Sequence, residues 1–290
     1  MGRIIPPSEL IINSDGSVFH LHLRPEQLAE RVILVGDPDR VTMIARYLED
    51  VECDVSSREF HTVTGRYKGK RISVVSHGIG NDNIDIVLNE LDVLANVDFQ
   101  TREIKPAFTR LSLVRIGTSG GLQPFVPIGS YVAAEKSIGF DGVIYFYAGN
   151  EKVRDTAFEK ELLARLDWKV KELHPYVVSA DASLIEQITQ KDIFRGVTIA
   201  ANGFYGPQGR ELRLPLADPE LNRKIEAFDF NGCSITNYEM ESSALSGLAA
   251  LMGHRAMTVC CIIAGRVDQR MNTDYKDSLP RLIELVLDRI

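Results

Sequence analysis

Short apolar runs alternate with amphipathic stretches along most of the chain. The run at 31–36 is rich in β-branched residues and ends in glycine, and an apolar-periodic stretch follows it to Leu48. This pattern predicts a strand, a tight turn and a helix. We predict further strands at 61–67 and 71–77, paired as a hairpin, and at 111–117, 130–138, 197–201 and 257–264, and helices at 78–95, 155–173, 241–252 and 274–290.

The alternation of strands and helices indicates an α/β fold. Several predicted strands end in glycine where a loop must turn outward, which is typical of ligand-binding loops at the strand ends. The 290 residues exceed an ordinary domain, but α/β folds of about 200 to 250 residues often form one unit. No repeat or low-complexity linker interrupts the pattern, so we predict a single domain over 1–290.

Composition excludes several classes of partner and site. A net charge of -7 argues against nucleic acid and anionic membranes, since both require a basic face. No apolar run reaches the roughly 18 residues of a membrane span, so we expect a cytoplasmic protein. The four cysteines form no CxxC pair and the six histidines no HExxH motif, so we expect buried free thiols and no zinc.

Two predicted strand ends carry residues suited to a small oxyanion. Gly36 precedes a helix whose amino-terminal end attracts anions, and Arg40 adds positive charge. An ordinary turn capped by Asp37 fits that segment equally well. Arg115 lies inside an otherwise apolar strand that leads to Thr118, and a buried arginine is costly unless it is paired.

Two carboxylates, Glu239 and Glu241, stand between a short strand and a helix. We expect them to face opposite sides, one towards a pocket and the other as a cap. A glutamate beside a sugar accepts hydrogen bonds from two hydroxyls, although a solvated charge pair is an equal alternative. The segment 78–83 starts like a dinucleotide-binding GxGxxG motif but has Asn83 at its third glycine position, so a tight strand-to-helix turn is the better interpretation.

The segment 204–210 has the residues needed to recognise a heterocyclic base. The aromatic ring of Phe204 can stack on the base, and the amide of Gln208 offers a donor and an acceptor to one ring edge. Arg210 adds positive charge in the same glycine- and proline-rich loop.

Taken together, the motifs resemble the nucleoside phosphorylase family, and in particular its uridine branch. The resemblance runs from about residue 18 to the carboxyl end and rests on VFHLHL, VGDPDRV, SREF, HGIGNDN, RIGTSGG, FYGPQGR and NYEMES. It implies the single-domain nucleoside phosphorylase fold, with a central mixed β-sheet flanked by helices. It also implies phosphorolysis of uridine by inorganic phosphate to uracil and ribose 1-phosphate, with no other cofactor.

The resemblance assigns roles to individual residues. Gly36, Arg40, Arg115 and Thr118 would bind phosphate, and Arg58 would reach that site from a neighbouring subunit. Met240 and Glu241 would hold the ribose, with His20 arriving from the same neighbour. Phe204, Gln208, Arg210 and Arg266 would form the base site, and Gln208, Arg210 and Glu241 would be catalytic.

Because two site residues would come from a partner, the resemblance implies at least a homodimer, or a hexamer built as a trimer of dimers. Relatives place a monovalent cation such as K⁺ at the subunit interface, where this chain has Glu59, Ile79 and Asn83. Asn83 replaces the serine expected there. The chain also looks longer than the compact bacterial enzyme near 97–111 and 155–180, which suggests two insertions.

Four alternatives remain open. A purine nucleoside phosphorylase shares the phosphate and ribose motifs but uses an aspartate in the segment that here reads Ala264, Gly265 and Arg266. A hydrolytic nucleosidase of this fold would need no arginine cluster. The broken glycine motif disfavours a nicotinamide-dependent oxidoreductase. A catalytically silent nucleoside-binding module can be separated only by an activity assay.

Overall fold

The computed structural model describes residues 3–265, 270–271 and 275–290. Its strands are β1 (Arg31–Val35), β2 (Glu49–Ser57), β3 (Phe60–Tyr67), β4 (Lys70–Ser76), β5 (Val97–Asp98), β6 (Glu103–Ile104), β7 (Ser112–Gly121), β8 (Tyr131–Gly139), β9 (Tyr176–Ser179), β10 (Phe194–Ala200), β11 (Asp229–Phe230), β12 (Cys233–Glu239), β13 (Arg255–Gly265) and β14 (Arg270–Met271). Its α-helices are α1 (Pro38–Ala45), α2 (Asn81–Asn96), α3 (Thr156–Leu166), α4 (Ala182–Thr189), α5 (Leu221–Glu226), α6 (Ser242–Met252) and α7 (Leu279–Arg289). The predicted single-domain α/β fold is confirmed.

One mixed sheet of twelve described strands organises the molecule. β1 lies between β4 and β7 and is parallel to both, and β13 is parallel to β7. The carboxyl ends of these strands therefore meet at one edge of the sheet. β12 also pairs antiparallel with β7, which closes β7, β13, β8, β10 and β12 into a ring that the sequence did not predict.

Helices cover both faces of the sheet. The side chains of β1 accordingly alternate between two apolar clusters, one on each face. Val32 and Leu34 pack with residues of α2 and α6. Ile33 and Val35 pack with residues of α1, α4 and α7. A strand buried on both faces explains the continuous apolar run in the sequence.

Several element bounds differ from the sequence prediction. The helix predicted to run to residue 173 ends at Leu166, because Asp167 adopts a left-handed conformation with φ 44°. The last helix begins at Leu279, after a short 3₁₀ turn, five residues later than predicted. β2, β9, α4 and α5 were not predicted.

The two proposed insertions contain regular structure. The segment 97–111 carries the β5–β6 hairpin, and Phe108 stacks on His254 with ring centroids 5.4 Å apart. The segment 155–180 carries α3 and β9. Their status as insertions stays a prediction.

The four cysteines are free thiols, as expected, but only Cys53, Cys260 and Cys261 are buried, and Cys233 is half-buried. Among the described residues, no helix is long and apolar enough to span a membrane.

Candidate active site

A cavity of about 1160 Å³ opens where the central parallel strands end. Its wall is formed by the turns after β1 and β4, the end of β7, the turn between β12 and α6, and the segment 204–210. The predicted site residues that line it are Gly36, Arg40, Arg115, Thr118, Phe204, Gln208, Arg210, Met240 and Glu241. The sheet thus brings together residues from distant parts of the chain.

Arg115 is buried in the wall of this cavity and held by two carboxylates. Its Nη1 donates a hydrogen bond to Glu239 Oε2 at 2.9 Å, and its Nη2 donates to Glu241 Oε2. Burial alone would lower the pKa of Arg115, but Glu241 and Glu239 outweigh it and raise the pKa. Arg115 therefore stays charged, and the pairing that its burial required is present.

Gly117 leaves the space that the Arg115 guanidinium occupies. A Cβ at this position would lie 2.7 Å from Arg115 Nη1 and 2.9 Å from the Sγ of Cys260. Any side chain at position 117 would therefore displace Arg115.

The expectation that Glu239 and Glu241 face opposite sides is wrong. Residues two apart along an extended chain share a face, and both carboxylates contact Arg115. Both are also buried, at 3% and 4% exposure, so they are not a solvated charge pair. Glu239 additionally caps α6, because its Oε1 accepts hydrogen bonds from the backbone N–H and the hydroxyl of Ser242 at 3.0 and 2.6 Å.

Glu241 is fixed from a second direction by the turn that starts α2. The backbone N–H of Gly80 donates to Glu241 Oε1 at 2.7 Å, and the φ of 101° at Gly80 favours glycine there. Burial raises the pKa of Glu241, and the neighbouring Glu239 raises it further against the opposing effect of Arg115. The carboxylate points into the cavity with its orientation set by two partners.

His77 is a buried member of the same cluster that sequence reasoning did not assign. It follows β4 directly, and its Nε2 accepts a hydrogen bond from Arg115 Nε at 3.1 Å. Burial lowers the pKa of His77 well below its ordinary value, and the positive charges of Arg115 and Arg40 lower it further. The only sequence signal was a histidine at the end of an apolar strand.

The turn after β1 satisfies both interpretations made from the sequence. Asp37 caps α1, since its carboxylate accepts from the backbone N–H of Asp39 at 2.9 Å. Arg40 is nevertheless buried at the cavity, where its Nη1 donates to the carbonyl oxygen of Ile116 at 3.1 Å. An ordinary capped turn therefore also places a cation beside Arg115.

The segment 204–210, hereafter the base segment, folds so that Arg210 contacts both Phe204 and Gln208. The Arg210 guanidinium carbon lies 3.8 Å from the centroid of the Phe204 ring. Arg210 Nη1 donates to the Phe204 carbonyl at 2.6 Å and to Gln208 Oε1. Arg210 thus orients both the aromatic ring and the amide.

Asn222, at the start of α5, links this segment to β12, and sequence reasoning missed it. Its Nδ2 donates to the carbonyl oxygens of Gln208 and Gly209 at 3.2 and 3.4 Å. Its Oδ1 accepts from the Tyr238 hydroxyl at 3.0 Å. Asn222 lies outside every motif, so no local signal could have identified it.

His20 and Arg58 do not line the main cavity of their own chain. His20 lines a smaller cavity of about 380 Å³, where its Nδ1 contacts Glu90 Oε1 at 2.6 Å. Arg58 is exposed and lies 5.7 Å from the centroid of the Phe19 ring. Both residues lie near Phe19, and neither lines the main cavity.

The three residues suggested for a monovalent cation lie together at the cavity wall. A Cβ on Gly78 would lie 2.4 Å from Asn83 Nδ2 and 3.1 Å from Glu59 Cγ, so these two side chains converge on one turn. One carboxylate, one amide and backbone oxygens are chemically compatible with a weakly bound hard cation. The cation site stays a prediction. Arg266 lies outside the described residues.

Comparison with known sequences gives a consistent result. A profile of the Phosphorylase superfamily matches residues 30–287. Uridine phosphorylase of Haemophilus influenzae is 30% identical over 258 residues, which cover 88% of each chain. Uridine phosphorylase of Thermococcus kodakarensis is 28% identical over 263 residues, covering 87% of this chain and 79% of its own. A DeoD-type purine nucleoside phosphorylase of Listeria monocytogenes is 26% identical over 244 residues, covering 84% and 85%.

Comparison with solved structures agrees. A crystal structure of a Trypanosoma brucei nucleoside phosphorylase, described as showing uridine phosphorylase activity, aligns with a TM-score of 0.88 at 27% identity. The alignment covers 97% of this chain and 98% of that one. The predicted nucleoside phosphorylase fold is therefore confirmed over nearly the whole chain.

Proposed function

Because this chain belongs to the phosphorylase superfamily, we propose that it cleaves uridine reversibly with inorganic phosphate, giving uracil and ribose 1-phosphate. The observation that carries the proposal is one cavity that joins the Arg115–Glu241 ion pair to the Gln208–Arg210 pair. The first pair suits a phosphate beside a sugar, and the second suits a polar ring edge. The uridine phosphorylases among its relatives support the same substrate.

Phosphate would bind at the arginine end of the cavity. Arg40 and Arg115 are both buried there, and Thr118 and Gly36 line the same wall. Charge-assisted hydrogen bonds from a guanidinium to a phosphate oxygen are short and strong. The ion pair with Glu241 would hold Arg115 in place between turnovers.

The ribose would lie against Met240 and Glu241. An ionised carboxylate accepts hydrogen bonds from two neighbouring hydroxyl groups. As the glycosidic bond breaks, the sugar gains positive character, which the negative charge of Glu241 stabilises. The fixed geometry of Glu241 would hold the anomeric carbon towards the phosphate oxygen that attacks it.

Uracil leaves with negative charge, so the base site must supply donors. Gln208 offers an amide to the ring edge, and Arg210 offers positive charge. The hydrogen bond from Arg210 to Gln208 Oε1 turns the amide oxygen towards the arginine, which favours donation from the amide nitrogen to the base. Phe204 lines the cavity beside them.

A purine nucleoside phosphorylase is the nearest alternative. Ile263, Ala264 and Gly265 line the cavity where the purine branch would need an acid, and none of them is acidic. This favours a base that leaves as an anion without protonation of its ring.

We further propose that the working unit is at least a homodimer with shared sites. Arg58 and His20 do not line the main cavity of their own chain, which supports a contribution to the site of a neighbour. For compartment, we propose the cytoplasm, where reducing conditions preserve free thiols.

The test is absorbance-monitored cleavage of uridine and of inosine, each with and without inorganic phosphate. We expect loss of uridine only when phosphate is present. Cleavage of inosine in preference to uridine would assign the chain to the purine branch, and cleavage without phosphate would indicate a nucleosidase.

A further inference from the structure

His77 contacts the phosphate arginine but belongs to none of the groups that would touch phosphate, ribose or base. It is fully buried, and Arg115 Nε donates to its Nε2 at 3.1 Å. A nitrogen that accepts carries no proton, so the imidazole is neutral with its proton on Nδ1. His77 is therefore a neutral acceptor facing a cation.

Packing alone does not explain the histidine. Burial lowers the pKa of His77 overall, although a hydrogen bond with the backbone of Gly78 acts to raise this pKa. An apolar side chain at position 77 could not accept from Arg115 Nε, which would then be a buried donor without that partner.

The charges around Arg115 provide a reason. Its Nη1 and Nη2 are paired with carboxylates, whereas its Nε is paired with the neutral His77. Formal charges of Arg40, Arg115, Glu239 and Glu241 sum to zero. A third carboxylate at position 77 would make the cluster negative and repel a phosphate anion.

We propose that His77 is a positioning residue that fixes the rotation of the Arg115 guanidinium through an uncharged hydrogen bond, leaving its positive charge available to phosphate. This inference rests on the proposed phosphate site. His77 would then be the third side chain that fixes the Arg115 guanidinium, in addition to Glu239 and Glu241.

Three substitutions separate the effect of a hydrogen-bond acceptor at position 77 from the effect of charge there. His77→Gln keeps a neutral acceptor at similar reach, His77→Leu removes it, and His77→Glu adds a negative charge. For His77→Leu we expect the KM for phosphate to rise about ten-fold, as for loss of a hydrogen bond to a charged group, while the KM for uridine changes little. We expect the KM of His77→Gln for phosphate to stay within about three-fold of the parent value. The KM of His77→Glu for phosphate should exceed that of His77→Leu.

His254→Leu is the matched control. His254 is also buried, accepting from the backbone N–H of Leu111 and contacting Asp92 at 3.0 Å, but it does not line the cavity. This variant should lower Tm without changing the ratio of the two KM values. An unchanged phosphate KM in His77→Leu, equal rises in both KM values, or no recovery in His77→Gln would each overturn the proposal.

Calorimetric titration with inorganic phosphate makes the test independent of turnover. If the parent binds phosphate but does not cleave uridine, the proposed function fails, and the affinities of the three variants still decide the role of His77. The same order, with His77→Gln tightest and His77→Glu weakest, is the result expected.

Discussion

Arg210 lies against the ring of Phe204 and donates to the amide of Gln208, so one side chain orients both other predicted residues of the base segment, 204–210. Removing it would take away a donor to the developing uracil anion and also release Gln208. We expect Arg210→Ala to lower kcat for uridine by about a hundred- to a thousand-fold. The measurement is steady-state phosphorolysis with the folded variant.

Arg213→Ala is the matched control for this substitution. Arg213 is exposed in the same loop and does not line the cavity, so its loss should leave kcat near that of the parent. Parental activity in Arg210→Ala would show that the base site has been assigned to the wrong segment.

The pKa of Glu241 leads to a prediction about acid inactivation. Burial raises this pKa, and Glu239 adds to the effect. Only the ionised carboxylate accepts hydrogen bonds from two ribose hydroxyls, so protonation should weaken catalysis as pH falls through the raised value. As pH falls, we expect kcat/KM for uridine at saturating phosphate to start declining at a pH above the ordinary pKa range of carboxyl groups. A flat profile down to that range would contradict the role of Glu241.

At the scale of single residues, the sequence identified residues whose polarity differs sharply from that of their neighbours in the chain. An arginine inside an apolar strand is conspicuous, so Arg115 could be singled out. The side that each carboxylate faces was predicted wrongly, because residues two apart along an extended chain share a face and both carboxylates contact Arg115. The local pattern can indicate a shared face, but the contact with Arg115 depends on strand pairing.

Among the elements, α5 has only six residues but links two parts of the site. Asn222 on this helix bonds the backbone of the base segment and the Tyr238 hydroxyl of β12. In Asn222→Asp the carboxylate could still accept from Tyr238 but could not donate to the two carbonyl groups. We expect the KM for uridine to rise about ten-fold, with the KM for phosphate unchanged.

Asn231→Asp introduces the same charge at an exposed turn between β11 and β12 and serves as the control. If both variants changed the KM for uridine equally, or if Asn222→Asp affected phosphate to the same extent, Asn222 would not be positioning the base segment.

Element prediction succeeded where the period of apolar residues was clear. The strand β1, the helix α1, the β3–β4 hairpin and α2 all lie where the pattern placed them. Short elements such as α4 and α5 give too few turns to establish a period. The end of α3 depends on a left-handed residue, Asp167, whose conformation no apolar pattern reports.

For the whole molecule, the proposed sharing of sites predicts complementation between inactive variants. In a mixed dimer of Arg58→Ala and Arg115→Ala chains, one site keeps Arg115 from one chain and Arg58 from the other. Random reassociation makes half of the dimers mixed, so we expect about a quarter of the parental specific activity. The measurement is uridine phosphorolysis after the purified variants are unfolded together and refolded.

Each variant refolded alone is the control and should remain nearly inactive. If the mixture showed only the average of the two separate activities, Arg58 would not act across subunits. Only the family resemblance suggested a shared site, because the apolar pattern of a single chain carries no signal for a neighbouring subunit.

The antiparallel pairing of Asn237 with Gly121 joins β12, which leads to Glu241, with β7, which carries Arg115. Contacts of such long range require a large loop to close, which makes them slow to form during folding. Local helices can appear long before this closure, whereas the cavity cannot. In a refolding experiment, the rate at which turnover recovers would therefore report the final closure of the sheet. The circular dichroism signal would report only the earlier formation of helices.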